Sequence, residues 1–177
     1  FSGKSQLIEN TFDNFASEIG LNKRVGYFSS SDVAPYNTNF DGFFLDSSNG
    51  VEPTINIWND GTLTESIPLS LWDNASACAS YDFDKFTVIL WDFLWLGGTN
   101  LRLFIETDKG LVLAHTYEHA STKQGTFIKS PNHQVRYDLE STSGTGSYNA
   151  ICSVVGTEGE FPGAGKPLTI YNTSAIA

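Results

Sequence analysis

The sequence predicts an all-β protein, an antiparallel sandwich or barrel, preceded by a short N-terminal segment that is an amphipathic helix or an arm. Three observations carry the prediction. From Arg24 onward, short runs rich in Val, Ile, Thr, Phe, Tyr and Trp recur between clusters of Gly, Asn, Asp, Ser and Pro. Two tight-turn signals, Asn59-Asp60-Gly61 and Asp108-Lys109-Gly110, supply residues that tolerate positive φ between such runs and predict hairpins. At 177 residues with 40% apolar and 14% aromatic side chains, the chain has the material for one packed core and no disulfide framework is needed.

The N-terminal segment reads differently from the rest. Ile8, Phe12, Phe15 and Ile19 recur at spacings of four, three and four, one face of a helix, with Gly20 at the place of a C-terminal cap. The alternative is an extended arm that uses the same side chains as anchors, because Asn10, Thr11, Asn14 and Ser17 are only fair helix formers. Residues 1–20 are therefore read as a docking arm and residues 21–177 as the sandwich domain.

Strands are expected at Arg24–Ser29, Gly42–Asp46, Thr54–Trp58, Thr62–Pro68, Lys85–Leu94, Asn100–Thr107, Leu111–His119, Gly125–Ile128, Gln134–Glu140, Ala150–Val155 and Leu168–Tyr171. Leu101, Leu103 and Ile105 alternate with Arg102 and Glu106. Val135, Tyr137 and Leu139 alternate with Arg136, Asp138 and Glu140, so both strands present one face to a core and one to solvent. The run Phe86–Leu96 is apolar on both faces apart from Asp92. It should lie centrally, its outer side covered by a loop, the helix or a neighbouring subunit. Ser29–Asn39, Asp73–Asp84, Ser141–Ser147 and Gly156–Gly165 read as long polar loops.

Charge excludes several function classes. Ten basic against twenty acidic residues give a net charge of −10, and the basic residues are scattered with only Lys23 and Arg24 adjacent, so nucleic acid and anionic membrane surfaces are poor partners. The longest apolar run is far short of the ~20 residues that insert across a bilayer as a helix. Cys78 and Cys152 lack metal or redox spacing; whether they pair is left open. The serines show no G-x-S-x-G elbow, and no phosphate-cradling glycine motif occurs.

What chemistry remains is sparse. Period-two spacing puts His115, Tyr117 and His119 on one strand face, yet Glu118 points the other way and His133 sits in a turn, so neither a metal nor another cofactor is expected. Asp92, inside an aromatic strand, is the one candidate for a raised carboxyl pKa in a small glycoside hydrolase, without a nameable partner. Trp58 and Trp72, beside a hairpin turn and in an acidic loop, are the candidates for stacking a host-surface glycan, with Trp91 and Trp95 assigned to the core. Asn74 and Asn172 open glycosylation sequons. No catalytic residues are assigned.

Several stretches in order resemble a family of virion structural proteins from tailed bacteriophages and some other large viruses. They are RVGYFS from Arg24, GFFLD from Gly42, SLWD from Ser70, FLWLGG from Phe93, LRLFI from Leu101, HTYEHA from His115, SPNHQVRYDLEST from Ser130 and ICSVVGTEG from Ile151. The chain departs from the family pattern at Gln134, where Pro is usual, and at Glu160, where a second Gly is usual. The resemblance implies a jelly-roll used as a capsid fibre, decoration or tail-associated module on the outer surface of the virion, often trimeric, in contact with other capsid or tail proteins, and without catalysis. A glycan-binding adhesin and the Asp92 hydrolase are the alternatives.

Overall fold

The computed structural model describes residues 5–94 and 99–157. Among them the chain forms two antiparallel five-stranded sheets, as an all-β sandwich requires. Sheet A contains β1 (Ser5–Asp13), β6 (Thr87–Leu94), β7 (Leu101–Thr107), β8 (Gly110–Tyr117) and β10 (Asn149–Thr157), in the order β10-β1-β6-β7-β8. Sheet B contains β2 (Leu21–Ser29), β3 (Asp41–Ser48), β4 (Thr54–Asn59), β5 (Thr62–Pro68) and β9 (Gln134–Ser141), in the order β5-β4-β3-β2-β9.

The connectivity corrects the jelly-roll expectation. A jelly roll passes from sheet to sheet at nearly every strand, whereas here β2 to β5 and β6 to β8 are meanders, each within one sheet. Short turns dictate this outcome. Asp60 (φ 48°) with Gly61 and the positive-φ Gly110 each return the chain directly beside the strand it has just left. The chain crosses between sheets at β1–β2, β5–β6, β8–β9 and β9–β10.

The N-terminal helix is also corrected. Residues 5–13 are strand β1, an interior strand laddered to β10 on one side and β6 on the other. Ile8 and Phe12 lie four apart, a spacing that satisfies period two as well as a helical period, and with Asn10 they form the inward row. Ladder partners on both sides decide the ambiguity against a segment of modest helix propensity. The strand ends where Asn14 takes φ 53°, and the amides of Asn14 and Phe15 then bond to the Asp84 and Phe83 carbonyls. Phe15 turns inward against Phe12, with ring centroids 4.7 Å apart, and Tyr148, at 5.5 Å. Ile8, Phe12 and Phe15 are thus core, while Ile19 is 82% exposed; the four share no docking face.

The core lies between the sheets. Ile89, Trp91 and Phe93 of β6 meet Phe43 of β3, whose ring is 5.2 Å from Trp91 and 5.0 Å from Phe93. The aromatic run around β6 is central as expected, between β1 and β7. The stretch expected as strand Gly125–Ile128 is instead a plug, with Phe127 buried against Tyr117 and His119. The loop after β5 holds a 3-10 turn (Leu69–Leu71) and α1 (Ala75–Cys78), pinned by buried Trp72, Cys78 and Phe83. Trp95, Asn172 and the expected strand Leu168–Tyr171 lie outside the described residues.

Gly42 shows why a small residue starts β3. Its φ is 120°, and a Cβ there would sit 2.2 Å from the Tyr27 carbonyl oxygen, closer than any real side chain allows.

Candidate functional site

Two surfaces distinguish this sandwich, one on the outer side of each sheet. On sheet A the register aligns Glu9 with Leu90, Leu90 with Phe104, and Phe104 with Leu113. Inward side chains alternate with outward ones, so Leu7, Val88, Leu90, Phe104, Leu111 and Leu113 form an apolar stripe facing away from the core. None of the six belongs to the core cluster or packs against it. Phe86, just before β6, extends the stripe and is largely exposed. The charged groups on this face among the described residues include Glu9, Asp13, Glu106 and the Asp92–Arg102 ion pair.

Asp92 therefore has a defined role. Its Oδ1 accepts from the Ser5 hydroxyl at 3.0 Å, its Oδ2 pairs with Arg102, and the guanidinium lies 5.8 Å from the Phe104 ring centroid. The carboxylate ties β1, β6 and β7 together across the outer face.

The outer side of sheet B carries a polar network beside an aromatic cluster. Arg24 is buried and faces three carboxylates: Glu140 at 2.8 Å, Asp138 at 3.7 Å and Asp46 at 3.8 Å. The register explains the gathering, since Arg24 is the direct partner of Asp46 on β3 and of Asp138 on β9. Burial pushes the Asp46 carboxyl above its ordinary pKa, against the Ser48 hydroxyl and the charge of Arg24. At Glu140 burial acts in the same upward direction, but hydrogen bonds from Arg24 and Asn22 outweigh it and hold the pKa below its ordinary value.

Opposite shifts in neighbouring carboxyls are the pattern of an acid and base pair. Here both oxygens of each are engaged within the chain. Asp46 accepts from Ser48 and Asn56, and Glu140 accepts from Arg24, Asn22 and Asn37. The Asn37 bond fastens the segment between β2 and β3 over the sheet. Phe40, at the end of that segment, packs on Phe28, Phe44 and Trp58, with the Arg24 guanidinium 5.3 Å from its ring centroid. The network acts as a clamp on a surface loop.

A second clamp lies further along sheet B, where Asp41 pairs with Ser29 at the end of β2. The Asp41 carboxylate accepts the amides of Asp60 at 3.1 Å, Lys129 at 2.9 Å and Ser130 at 3.0 Å, and lies 3.0 Å from His133 Nε2. Burial lowers the His133 pKa although Asp41 opposes it.

The remaining candidates from the sequence are dispersed. Trp72, meant to stack a glycan, is 3% exposed, and its indole donates to the Ile67 carbonyl at 3.0 Å. Trp58 is half-buried under Phe40, so the two tryptophans form no shared platform. An apolar aromatic ring in a loop gains more by filling the gap between loop and sheet than by facing water. His115 Nδ1 accepts the Asp73 amide at 3.2 Å, and burial lowers its pKa with Asp73 opposing. His119 Nε2 donates to the Gly125 carbonyl at 2.9 Å, so the two imidazoles serve different loops. Cys78 is buried, Cys152 is exposed on β10, and both are free thiols.

The sequence reading missed the Arg24 network and the Asp41 clamp. The alternation of Arg136, Asp138 and Glu140 announced a charged outer face on β9, but no local signal says that Arg24 and Asp46 lie beside it. A cleft of about 480 Å³ between Pro53, Leu69, Ala75, Ala79, Tyr81 and Phe83 is mostly apolar, and Glu52 on its wall is bonded to Ser70. Compared with known proteins, the chain matches no family model and no curated sequence.

Proposed function

We propose that the protein is a non-enzymatic structural module of a virus particle, carried on its outer surface, whose copies associate as a homotrimer through the outer face of sheet A. The observation that carries the reading is the apolar stripe of Leu7, Val88, Leu90, Phe104, Leu111 and Leu113, an outward sheet face that sets apolar side chains where a solvated sheet alternates to polar ones. The sequence resemblance to virion proteins supplies the particle, and the net charge of −10 suits a surface remote from packaged nucleic acid. Docking is assigned to this sheet face rather than to an N-terminal arm, because Ile8, Phe12 and Phe15 are spent in the core.

The test pairs light scattering on the purified chain with mass spectrometry of particles from its source. A trimer that becomes monomeric in the Leu90→Glu/Phe104→Glu variant, with its β-sheet circular dichroism unchanged, supports the reading. So does a copy number that is a fixed fraction of the major shell protein. A monomer at about 100 µM, well above typical assembly constants, overturns the association, and absence from the particle overturns the virion assignment.

A further inference from the structure

The cleft of about 480 Å³ beside α1 belongs to neither clamp, and none of its walls comes from the outer stripe of sheet A. It opens at the end of the sandwich where β1 stops, since the carbonyl of Phe83, one of its walls, accepts the Phe15 amide at 2.9 Å. Leu94 and Thr157 lie at the opposite end, paired with Ser5 and Gln6, so that the length of β1, roughly 30 Å, separates them from the cleft.

The chain's own hydrogen bonds fix the walls. The Leu69 amide bonds to the Pro53 carbonyl at 2.9 Å, the Ala79 amide to the Ala75 carbonyl at 2.7 Å, and the Tyr81 amide to the Cys78 carbonyl at 3.0 Å. Tyr81 stands edge-on to the buried Phe83, with ring centroids 5.0 Å apart. Ala75 and Ala79, one helical turn apart on one face, project only methyl groups, which keeps that wall flat enough for a ring. A preformed, mostly apolar cleft of a few hundred Å³ is the kind that takes a large side chain without paying to reorganise.

The charge at the cleft has one sign. No Lys, Arg or His lines it, and Glu52 is its charged wall. The Ser70 amide donates to Glu52 Oε2 at 2.9 Å and the Ser70 hydroxyl to Oε1 at 2.7 Å, which holds the carboxylate in place without neutralising it. Among the described residues Glu52 has no cation partner, and neither have Asp82 and Asp84, the exposed neighbours of Phe83. Lys85 lines a separate cleft with Asp82, Glu106 and Asp108. Val51 and Leu71, each one residue from the Glu52–Ser70 contact, are large apolar side chains left exposed at the rim.

An apolar cleft, an apolar rim and a fixed carboxylate without a counter-ion are complementary to a protein segment that carries an aromatic anchor beside a cation. We propose that the cleft docks an aromatic residue of a partner protein, with an adjoining Lys or Arg of that partner paired to Glu52. Repulsion from Glu52, Asp82 and Asp84 selects against acidic segments.

The experiment is NMR chemical-shift titration of the backbone amides of the full chain with the peptide Gly-Lys-Trp-Lys-Gly, its charge-reversed form Gly-Glu-Trp-Glu-Gly, and Gly-Lys-Ala-Lys-Gly, which lacks the anchor. The first should shift amides within Leu69–Phe83 with a Kd on the order of 1 mM, as suits one anchored side chain. The other two should bind at least ~5-fold more weakly. Glu52→Gln should weaken the first peptide about 3- to 5-fold and erase its advantage over the charge-reversed form. Ala79→Phe, which sets a ring into the cleft from an exposed position, should abolish binding. Unchanged amide spectra away from the cleft verify the fold of each variant. No shift at about 5 mM peptide, well above the expected Kd, overturns the proposal, as does binding indifferent to Ala79→Phe or to Glu52→Gln. Equal binding of Gly-Lys-Ala-Lys-Gly also overturns it, by reducing the effect to attraction toward an acidic surface.

Discussion

Phe12→Ala separates a core strand from a detachable arm. Phe12 is fully buried on β1, its ring 4.7 Å from that of Phe15, which in turn stacks edge-on against Tyr148. Truncation to Ala removes a whole ring from a site walled by two sheets, and such changes cost about 3–5 kcal/mol through lost transfer energy and the cavity left behind. With a urea m-value of roughly 2 kcal/mol per molar for a domain of this size, the midpoint should fall by about 1.5–2.5 M. Ile19→Ala is the internal control. It shares the helical spacing but is 82% exposed, and should shift stability by no more than about 0.5 kcal/mol. Equilibrium urea unfolding followed by tryptophan fluorescence measures both. Equal, small shifts for the two variants would refute the assignment of β1 to the core and restore the arm.

Two further predictions address the clamps on sheet B. Asp41→Ala removes the acceptor shared by the Asp60, Lys129 and Ser130 amides and His133, and should cost about 3 kcal/mol in the same urea assay, since hydrogen bonds to a charged group are worth roughly 1.5–3 kcal/mol each and some of the freed amides will find water; a loss under about 0.5 kcal/mol would show the clamp to be idle. Glu140→Gln tests the Arg24 network through pH. The Glu140 pKa is lowered in the folded state, so its contribution is present above the ordinary value of 4.5 and is lost as pH falls through the folded value. The variant should be about 1 kcal/mol less stable at pH 7, a figure kept small for a partly exposed pair, and the difference should shrink below pH 4.5. A difference that is constant across pH 3 to 7 would contradict the charge-based account.

The sequence by itself determined the class of fold and nearly all of its strands. Alternation in Leu101–Ile105 and Val135–Glu140 marked the buried faces, and the Gly61 and Gly110 turns marked two hairpins, because period and turn chemistry are local properties. The apolar outer side of the β6 run was also legible, since Phe86, Val88 and Leu90 alternate with the inward Ile89, Trp91 and Phe93.

Only the tertiary structure decided the rest. Ile8 and Phe12 fit a helix and a strand equally well by spacing, and the choice fell to the ladders offered by β6 and β10, the latter more than 130 residues away in the chain. The glycan candidates depended on exposure, and Trp72 and Trp58 gained partners from Ile67 and Phe40 that no spacing foretells. The Arg24 cluster joins β2, β3 and β9 through registers set by their pairing. Local pattern fixes which way a side chain can point; which side chains then meet depends on long-range packing, and that is where this protein places its charge clamps and its apolar face.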